Sequence, residues 1–576
     1  MRPILGLTVL LALVSPTLLL SGCATSFDPV PTTIPTQTSL KGISGNVHGG
    51  RQPVSGAHLY VYAAGAGGYG GNGIAASTAN ASTSLLTSFP TGSFPTAKDA
   101  ANNYYVTTDI NGNFALTGEY TCTSGTQVYL YAVGGQPSPS TTNSAAAFLA
   151  VLGQCPATGT MAAITPTVML NEVSTVAAAF AFAGFATDAL HVSGSGTTLA
   201  TQGIKNAFAN TGNLYDVTGG HGPIALAKTP GGNGAVPQTT IDAIANAIAA
   251  CVNSTGSAST QCSTLFSDTR VDGPTTGIGT PYVPTLGSAP SDFTLGITFT
   301  GGGMNSPAGI AIDAFGNAWT ANNGANFVTQ VSPTAAVSSF ALGGTNFPYG
   351  LAIDASNHIW TANEPVVAEL NNDGSTVSTG YTTGLGSSGP FLAVDGPGAS
   401  SNIWVPDDAL HGTHIAKLTS SGSPTVYSVP TMNGDNGVAV DGGGNIWVSN
   451  ANGNSISRLN SAGVSTNTYT GGSLAGPAGV AIDSSGNAWI ANDNANNGTT
   501  ITKITQSGTL TSYSGGGLAT PDGIAIDGAG NVWTADLGNN ALTEIIGAAV
   551  PVITPICSGL PASPNSNGTS NLGTRP

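Results

Sequence analysis

From residue 301 onward the apolar and polar positions of the chain repeat. PAGIAIDAFGNAWTAN (307–322), PYGLAIDASNHIWTAN (348–363), GPFLAVDGPGASSNIWVPD (389–407), DNGVAVDGGGNIWVSN (435–450), PAGVAIDSSGNAWIAN (477–492) and PDGIAIDGAGNVWTAD (521–536) are six copies of one pattern. Each copy has a strand of two aliphatics around an alanine, an aspartate-led turn and a second strand that opens near a tryptophan. Trp319, Trp360, Trp404, Trp447, Trp489 and Trp533 are all the tryptophans of the protein and stand 41 to 44 residues apart. A period of that length suits a four-stranded blade, and six copies predict a six-bladed β-propeller over 287–547.

The positions within the repeat have physical readings. Ala311, Ala352, Ala393, Ala439, Ala481 and Ala525 fall on the innermost strands, where crowding around the axis calls for a small residue. Asp313, Asp354, Asp395, Asp441, Asp483 and Asp527 mostly lead Asp-x-x-Gly-Asn turns, a sequence in which the carboxylate accepts turn amides and glycine takes positive φ. Turn formation is preferred here over a shared metal role. A third strand carries Gln330, Glu369, Lys417, Arg458, Lys503 and Glu544 at one offset, which suggests pairing between blades. The last copy lacks a fourth strand, so the alternating run Phe293–Phe299 is expected to close the ring as the outer strand of blade six.

The first half of the chain has other periods. Short aromatic and β-branched runs at 43–47, 57–62, 104–107 and 127–131 predict a small β-sandwich over 41–136. A Gly/Ala/Ser/Thr-rich stretch at 64–100 reads as a loosely ordered insertion within it. Over 137–286 the apolar spacing becomes helical, with candidates at 144–152, 172–185 and 239–252. The fold class is therefore mainly β and multidomain, with a helix-containing middle region between sandwich and propeller.

The two ends differ from the rest. Met1-Arg2-Pro3, an apolar stretch to Leu20 and then Leu20-Ser21-Gly22-Cys23 form a signal peptide over 1–22 rather than a membrane span. The Leu-Ser-Gly-Cys string resembles the bacterial lipobox, which implies lipidation of Cys23, export, and a membrane-anchored lipoprotein with an outer-membrane or surface destination. Residues 23–40 are a Pro/Thr-rich tether, and 548–576 a Pro/Ser/Asn-rich C-terminal tail expected to lack order at its end. Cys122, Cys155, Cys251 and Cys262 suggest disulfides in an oxidising compartment, with 122–155 and 251–262 favoured by proximity, other connectivities open, and Cys557 left over.

Composition narrows the partners. Only 7% of residues are charged and the net charge is −16. Within 287–547, three basic residues face seventeen acidic ones, a net of −14. Such a surface repels phosphate backbones, so no nucleic-acid partner is expected.

Two resemblances follow from quoted motifs. GNVHGGRQPVSGAHLYVY and TTDINGNFALTG resemble carboxypeptidase-regulatory-like β-sandwich modules of secreted proteins, which generally act as spacers or adhesion elements. The six repeats resemble the NHL-repeat and streptogramin-lyase-like propellers, a superfamily that also includes gluconolactonase-like enzymes. That resemblance implies a ligand-binding face formed by the loops from strand two to three and from strand four to the next blade. On that face the second strands end in Asn322, Asn363, Asp407, Asn450, Asn492 and Asp536. These residues either cap turns or form a ring of oxygens able to hold a hard cation such as Ca²⁺. The lyases of the superfamily end this strand in glutamate and use Mg²⁺, whereas asparagine dominates here and Glu364 comes one place late.

Blade three departs from the pattern. It carries Phe391 in place of glycine, a longer hairpin, and a loop with Asp407, Asp408, His411 and His414, a set suited to a metal or to acid–base chemistry. The expectation is a lipid-anchored envelope protein whose propeller is a binding scaffold for proteins or glycans, more plausibly not an enzyme. The alternative is a divalent-metal-dependent propeller enzyme, a lyase or lactone hydrolase, using Ca²⁺ or Mg²⁺; the sequence requires no other cofactor.

Overall fold

The computed structural model describes residues 36–561, apart from 72, 90–91, 138–140, 218–225, 268–293, 343–346, 364–365, 385–390, 398–400, 407–412, 420 and 473. The expected signal peptide over 1–22, Cys23 and nearly all of the expected tether lie outside this set. Gln37–Pro576 form one compact unit. No described helix is long and apolar enough to cross a membrane.

Six antiparallel sheets make the propeller. Five have four strands each in simple up-and-down order, and the sixth is Pro521–Ile526, Val532–Asp536, Ala541–Ile545 and, from the start of the domain, Gly296–Phe299. Phe299 pairs with Leu542 and Gly296 with Ile545, so the ring is closed by the strand expected from the sequence. Gly234-Ala235 of the middle region adds a fifth strand outside it, covering an edge that would otherwise offer unpaired backbone groups.

Two features of the repeat differ from the sequence expectation. The crowded position of the innermost strand is the glycine that stands two residues before the alanine in every blade but the third. A Cβ at Gly437 would lie 2.1 Å from Ala478 O, and one at Gly523 2.1 Å from Ala308 O, so the next blade's backbone occupies that place. Two of the third-strand cations pair within their own blade: Lys417 Nζ lies 3.4 Å from Asp395 Oδ2, and an Arg458 guanidinium nitrogen 3.3 Å from Asp441 Oδ2. The register explains this, because Trp404 stands directly across from Lys417 and Trp447 from Arg458.

The sandwich extends beyond 136. Ala147–Gln154, whose spacing suggested a helix, is a strand along Gln127–Val133, and Thr167–Leu170 pairs in parallel with Ser44–Gly49. An apolar run of that length is ambiguous until a sheet partner selects the strand. The 64–100 stretch is tied down rather than loose: Thr83-Ser84 and Thr96–Lys98 join the sheet, and Asn80 and Leu86 are buried. Disulfides Cys122–Cys155 and Cys251–Cys262 are both present.

Three long helices, Glu172–Phe182, Thr198–Leu214 and Gln238–Val252, join sandwich to propeller. The second was not visible as an apolar period, since its buried face includes Asn206, Asn210, Thr211 and Asn213. At the start of the first of these helices the buried carboxylate of Glu172 accepts the Gly50 N–H through both oxygens, each at 3.0 Å. One apolar core runs from Tyr129 of the sandwich through Phe182 and Phe208 of the helices to Ile312 and Trp533 of the propeller.

Candidate functional site: the central channel

Each blade is built on an aspartate–tryptophan bond. Oδ2 of the turn aspartate accepts the indole Nε1–H at 2.9 Å in blade one (Asp313, Trp319), 3.1 Å in blade two (Asp354, Trp360), 3.0 Å in blade three (Asp395, Trp404), 2.9 Å in blade four (Asp441, Trp447), 3.2 Å in blade five (Asp483, Trp489) and 3.0 Å in blade six (Asp527, Trp533). Oδ1 accepts turn amides, as Asp441 does from Gly443 and Asn445. The turn role of the six carboxylates thus holds, and it also fixes the indole. Each ring packs on an aromatic of its blade's outer strand, Phe340, Tyr381, Tyr427, Tyr469, Tyr513 or Phe299. In blades three to five, Lys417, Arg458 and Lys503 lie over the indole at 5.1, 5.5 and 5.2 Å.

The innermost strands enclose a narrow channel with a cavity volume of about 90 Å³. Its wall is aliphatic around the whole ring, including Ile310, Ala352, Val438, Ala439, Ala481 and Ile524. The two ends differ. At the face of the aspartate turns, residues 549–561 run beneath the blades: the Ala549 N–H is donated to Gly530 O and the Val552 N–H to Asp527 O. Farther on, Cys557 Sγ lies 3.4 Å from Ile353 O, and Pro555, Ile556 and Leu560 line the channel as its floor. This part of the tail is ordered, and its free cysteine is buried, with its thiol pushed up to about 12 by that burial and by the Asp354 charge. The helix Thr198–Leu214 covers the same face, with Asn206 Nδ2 donating to Phe315 O and Asn213 Nδ2 to Pro333 O.

The other end is the loop face. Phe391 occupies the position that is glycine in the other blades and meets Tyr349 edge-on, with ring centroids 6.1 Å apart, so two aromatics stand at the rim. The residues before the inner glycines include Asn436 and Asp522, which the sequence analysis did not single out. Asn436 Oδ1 is buried without a hydrogen-bond partner among the described residues, and the Asp522 side chain is buried. Their only sequence signal was departure from Ala308 and Ala478 at the same offset.

The sequence-nominated residues fall as follows. Asn322, Asn450 and Asn492 are buried and donate to hydroxyls of their own third strands: Asn322 Nδ2 to Thr329 Oγ1 at 3.0 Å, Asn450 Nδ2 to Ser457 Oγ at 2.9 Å, and Asn492 Nδ2 to Thr502 Oγ1 at 3.0 Å. Asp536 accepts from Thr534 and Thr543, and burial raises its carboxyl to about 7. These bonds tie the ends of the second strands to their own third strands, while Asn492 Oδ1 is buried without a hydrogen-bond partner among the described residues. Asn363 ends its strand, but its side chain lies outside the described residues, as do Asp407, Asp408 and His411. His414 opens the third strand of blade three.

Three blades lack a cation in the third-strand position: blade one carries Gln330 there, and blades two and six carry glutamates. In blade six Glu544 is fully buried and accepts from Asn210 at 3.0 Å and Asn531 at 2.7 Å; burial and then the Asp527 charge push its carboxyl well up. In blade two Glu369 stands there, with His358 Nδ1 2.9 Å from its Oε1 and 3.5 Å from Asp354 Oδ2.

No protein-family model matches the chain, and no curated protein matches it. Among solved structures it is similar to virginiamycin B lyase from Staphylococcus aureus, at 18% identity over 44% of this chain and 91% of that one, with a TM-score of 0.33. It is likewise similar to a gluconolactonase from Xanthomonas campestris, at 17% identity over 44% and 89%, with a TM-score of 0.36. A third is the calcium-binding protein regucalcin from Agrobacterium tumefaciens, at 14% identity over 43% and 93%, with a TM-score of 0.34. Likeness at this level carries no argument about activity.

Proposed function

We propose that this chain is an exported lipoprotein, anchored through Cys23 in an outer-membrane or surface location, whose propeller binds a protein ligand. The observation that carries the reading is the channel: an aliphatic wall, a floor formed by the chain's own tail and an aromatic rim on the loop face. Such a wall presents aliphatic side chains all round the ring to an apolar anchor. The net charge of −14 over 287–547 favours a ligand segment with basic flanks.

A second reading, a divalent-metal-dependent lyase or lactone hydrolase, is supported by Asn436 Oδ1, a buried oxygen without a partner among the described residues, and by the Asp522 carboxylate on the same face. Both are hard oxygen donors suited to Ca²⁺ or Mg²⁺. The experiment is a titration of the intact mature protein with peptides bearing one apolar anchor between basic flanks, with glycans, and with lactones, alongside metal analysis. Saturable peptide binding that is lost in the channel-filling variant Ala439→Leu/Ala481→Leu is the expected result. Metal-dependent turnover of a lactone, lost in Asn436→Ala or Asp522→Ala, would replace this reading with the enzymatic one.

A further inference from the structure

We propose that blade two carries a transition-metal site, with Zn²⁺ as its expected ion, formed by Asp354, His358 and Glu369. This site stands apart from the channel, at the aspartate-turn end of the outer strands, and does not depend on the function proposed above.

The internal repeat supplies the first argument. In blades three, four and five the space over the indole holds a cation from the third strand. In blade two the corresponding residue is Glu369, directly across from Trp360. His358 simultaneously replaces the asparagine that other blades place after the turn, Asn317, Asn402, Asn445, Asn487 and Asn531. The paired changes turn a carboxylate-plus-cation arrangement into two carboxylates around an imidazole. A divalent cation restores the charge that the sister blades obtain from lysine or arginine.

Geometry is the second argument. The three candidate ligand atoms lie within 4.8 Å of one another, and His358 Nδ1 is 2.9 Å from Glu369 Oε1 and 3.5 Å from Asp354 Oδ2. Ligands bound to Zn²⁺ at about 2.1 Å stand roughly 3.0–3.4 Å apart, close to the two distances His358 Nδ1 makes with the carboxylates. One imidazole with two carboxylates favours Zn²⁺, Co²⁺ or Ni²⁺ over Ca²⁺ and Mg²⁺, which prefer oxygen alone.

The third argument is the support around the ligands. Tyr381 Oη donates to Glu369 Oε2 at 3.0 Å, leaving Oε1 directed at the imidazole. Asp354 Oδ1 accepts the N–H groups of Ser356 and His358, each at 2.9 Å, and Oδ2 accepts Trp360 Nε1 at 3.1 Å. Outer hydrogen bonds of this kind hold metal ligands in place. The His358 side chain is 35% exposed, which gives the ion an entry path and leaves room for water in the remaining coordination positions.

The test uses the intact mature protein stripped with chelator. Calorimetric titration with Zn²⁺ and absorption spectroscopy with Co²⁺ are compared between wild type and His358→Asn/Glu369→Lys, which rebuilds the sister-blade sequence and so preserves the fold. The expected result is one equivalent fewer of Zn²⁺ in the variant, with loss of the visible Co²⁺ band and of the melting-temperature rise that Zn²⁺ gives wild type. Glu369→Gln, a smaller change, is expected to weaken Zn²⁺ at least tenfold and serves if the double variant does not fold. Equal stoichiometry in wild type and both variants, or no Zn²⁺ binding by wild type, overturns the proposal and leaves a histidine–carboxylate ion pair only.

Discussion

The two ends of the propeller channel are made from the same six repeats and differ because of what lies against them. At the aspartate-turn end, the C-terminal segment runs from blade six to Ile353 of blade two, the helix Thr198–Leu214 packs on blade one, and Val552, Cys557 and Leu560 join the apolar core of the inner strands. At the loop end, Phe391, Tyr349, Asn436 and Asp522 interrupt the repeat, and Phe391 and Tyr349 meet edge-on. Repetition therefore builds the wall, while the parts that do not repeat decide which end is closed and which end receives a ligand.

That contrast is open to attack from both sides. The largest effect is expected at the floor: Ile556→Asp with Leu560→Asp places carboxylates in an apolar seal and costs about 3–5 kcal/mol, read as a fall in denaturation midpoint. Asn436→Ala at the mouth, which removes an amide oxygen that has no partner among the described residues, is expected to cost no more than about 1 kcal/mol in the same assay. Equal losses at the two positions would mean that the ends do not differ as described.

A middle-sized effect tests the loop-face bracing through pH. Asp536 is buried and its carboxyl is raised from 3.8 to about 7, so the folded chain holds a proton that the unfolded chain releases. Its contribution is full below about pH 4 and is lost as pH rises through about 7. Asp536→Asn installs the residue of blades one, four and five; it is expected to leave stability unchanged at pH 4 and to raise it by about 1–3 kcal/mol at pH 8. Urea denaturation at the two pH values checks this, and a gain at pH 4 as large as that at pH 8 would rule out the titration of Asp536 as its cause.

The smallest effects belong to the cations over the indoles. Lys503→Met keeps the stem packed on Trp489 and removes the charge, with an expected loss of about 0.5–1 kcal/mol by chemical denaturation. Trp489→Phe, which also deletes the bond to Asp483, is expected to cost about 1–2 kcal/mol more than Lys503→Met.

How much of this was legible in the sequence follows from where the repeat reaches. Blade number, the turn role of the aspartates and the closing strand were all visible, because a repeat displays each position six times and its exceptions stand out. The glycine clash, the indole bond and the pairing of cations within a blade depend on register, which only the folded strands reveal. Ala147–Gln154 and the helix Thr198–Leu214 were missed for opposite reasons: one is an apolar run that fits either helix or strand, the other buries asparagines that match no apolar period. The nominated ring of Asn322, Asn450 and Asn492 had the right placement on the chain, but strand-three hydroxyls engage its amides. The floor was illegible, since a Pro/Ser-rich tail gives no sign of the surface it will cover.

The central claim, a dry apolar channel closed at the turn face and open at the loop face, is tested most directly by xenon pressurisation of crystals of the intact mature protein. The account predicts xenon on the propeller axis between Ala439, Ala481 and Ile524, lost in Ala439→Leu/Ala481→Leu. A column of ordered water or a bound cation along the axis, with no xenon in wild type, would contradict it.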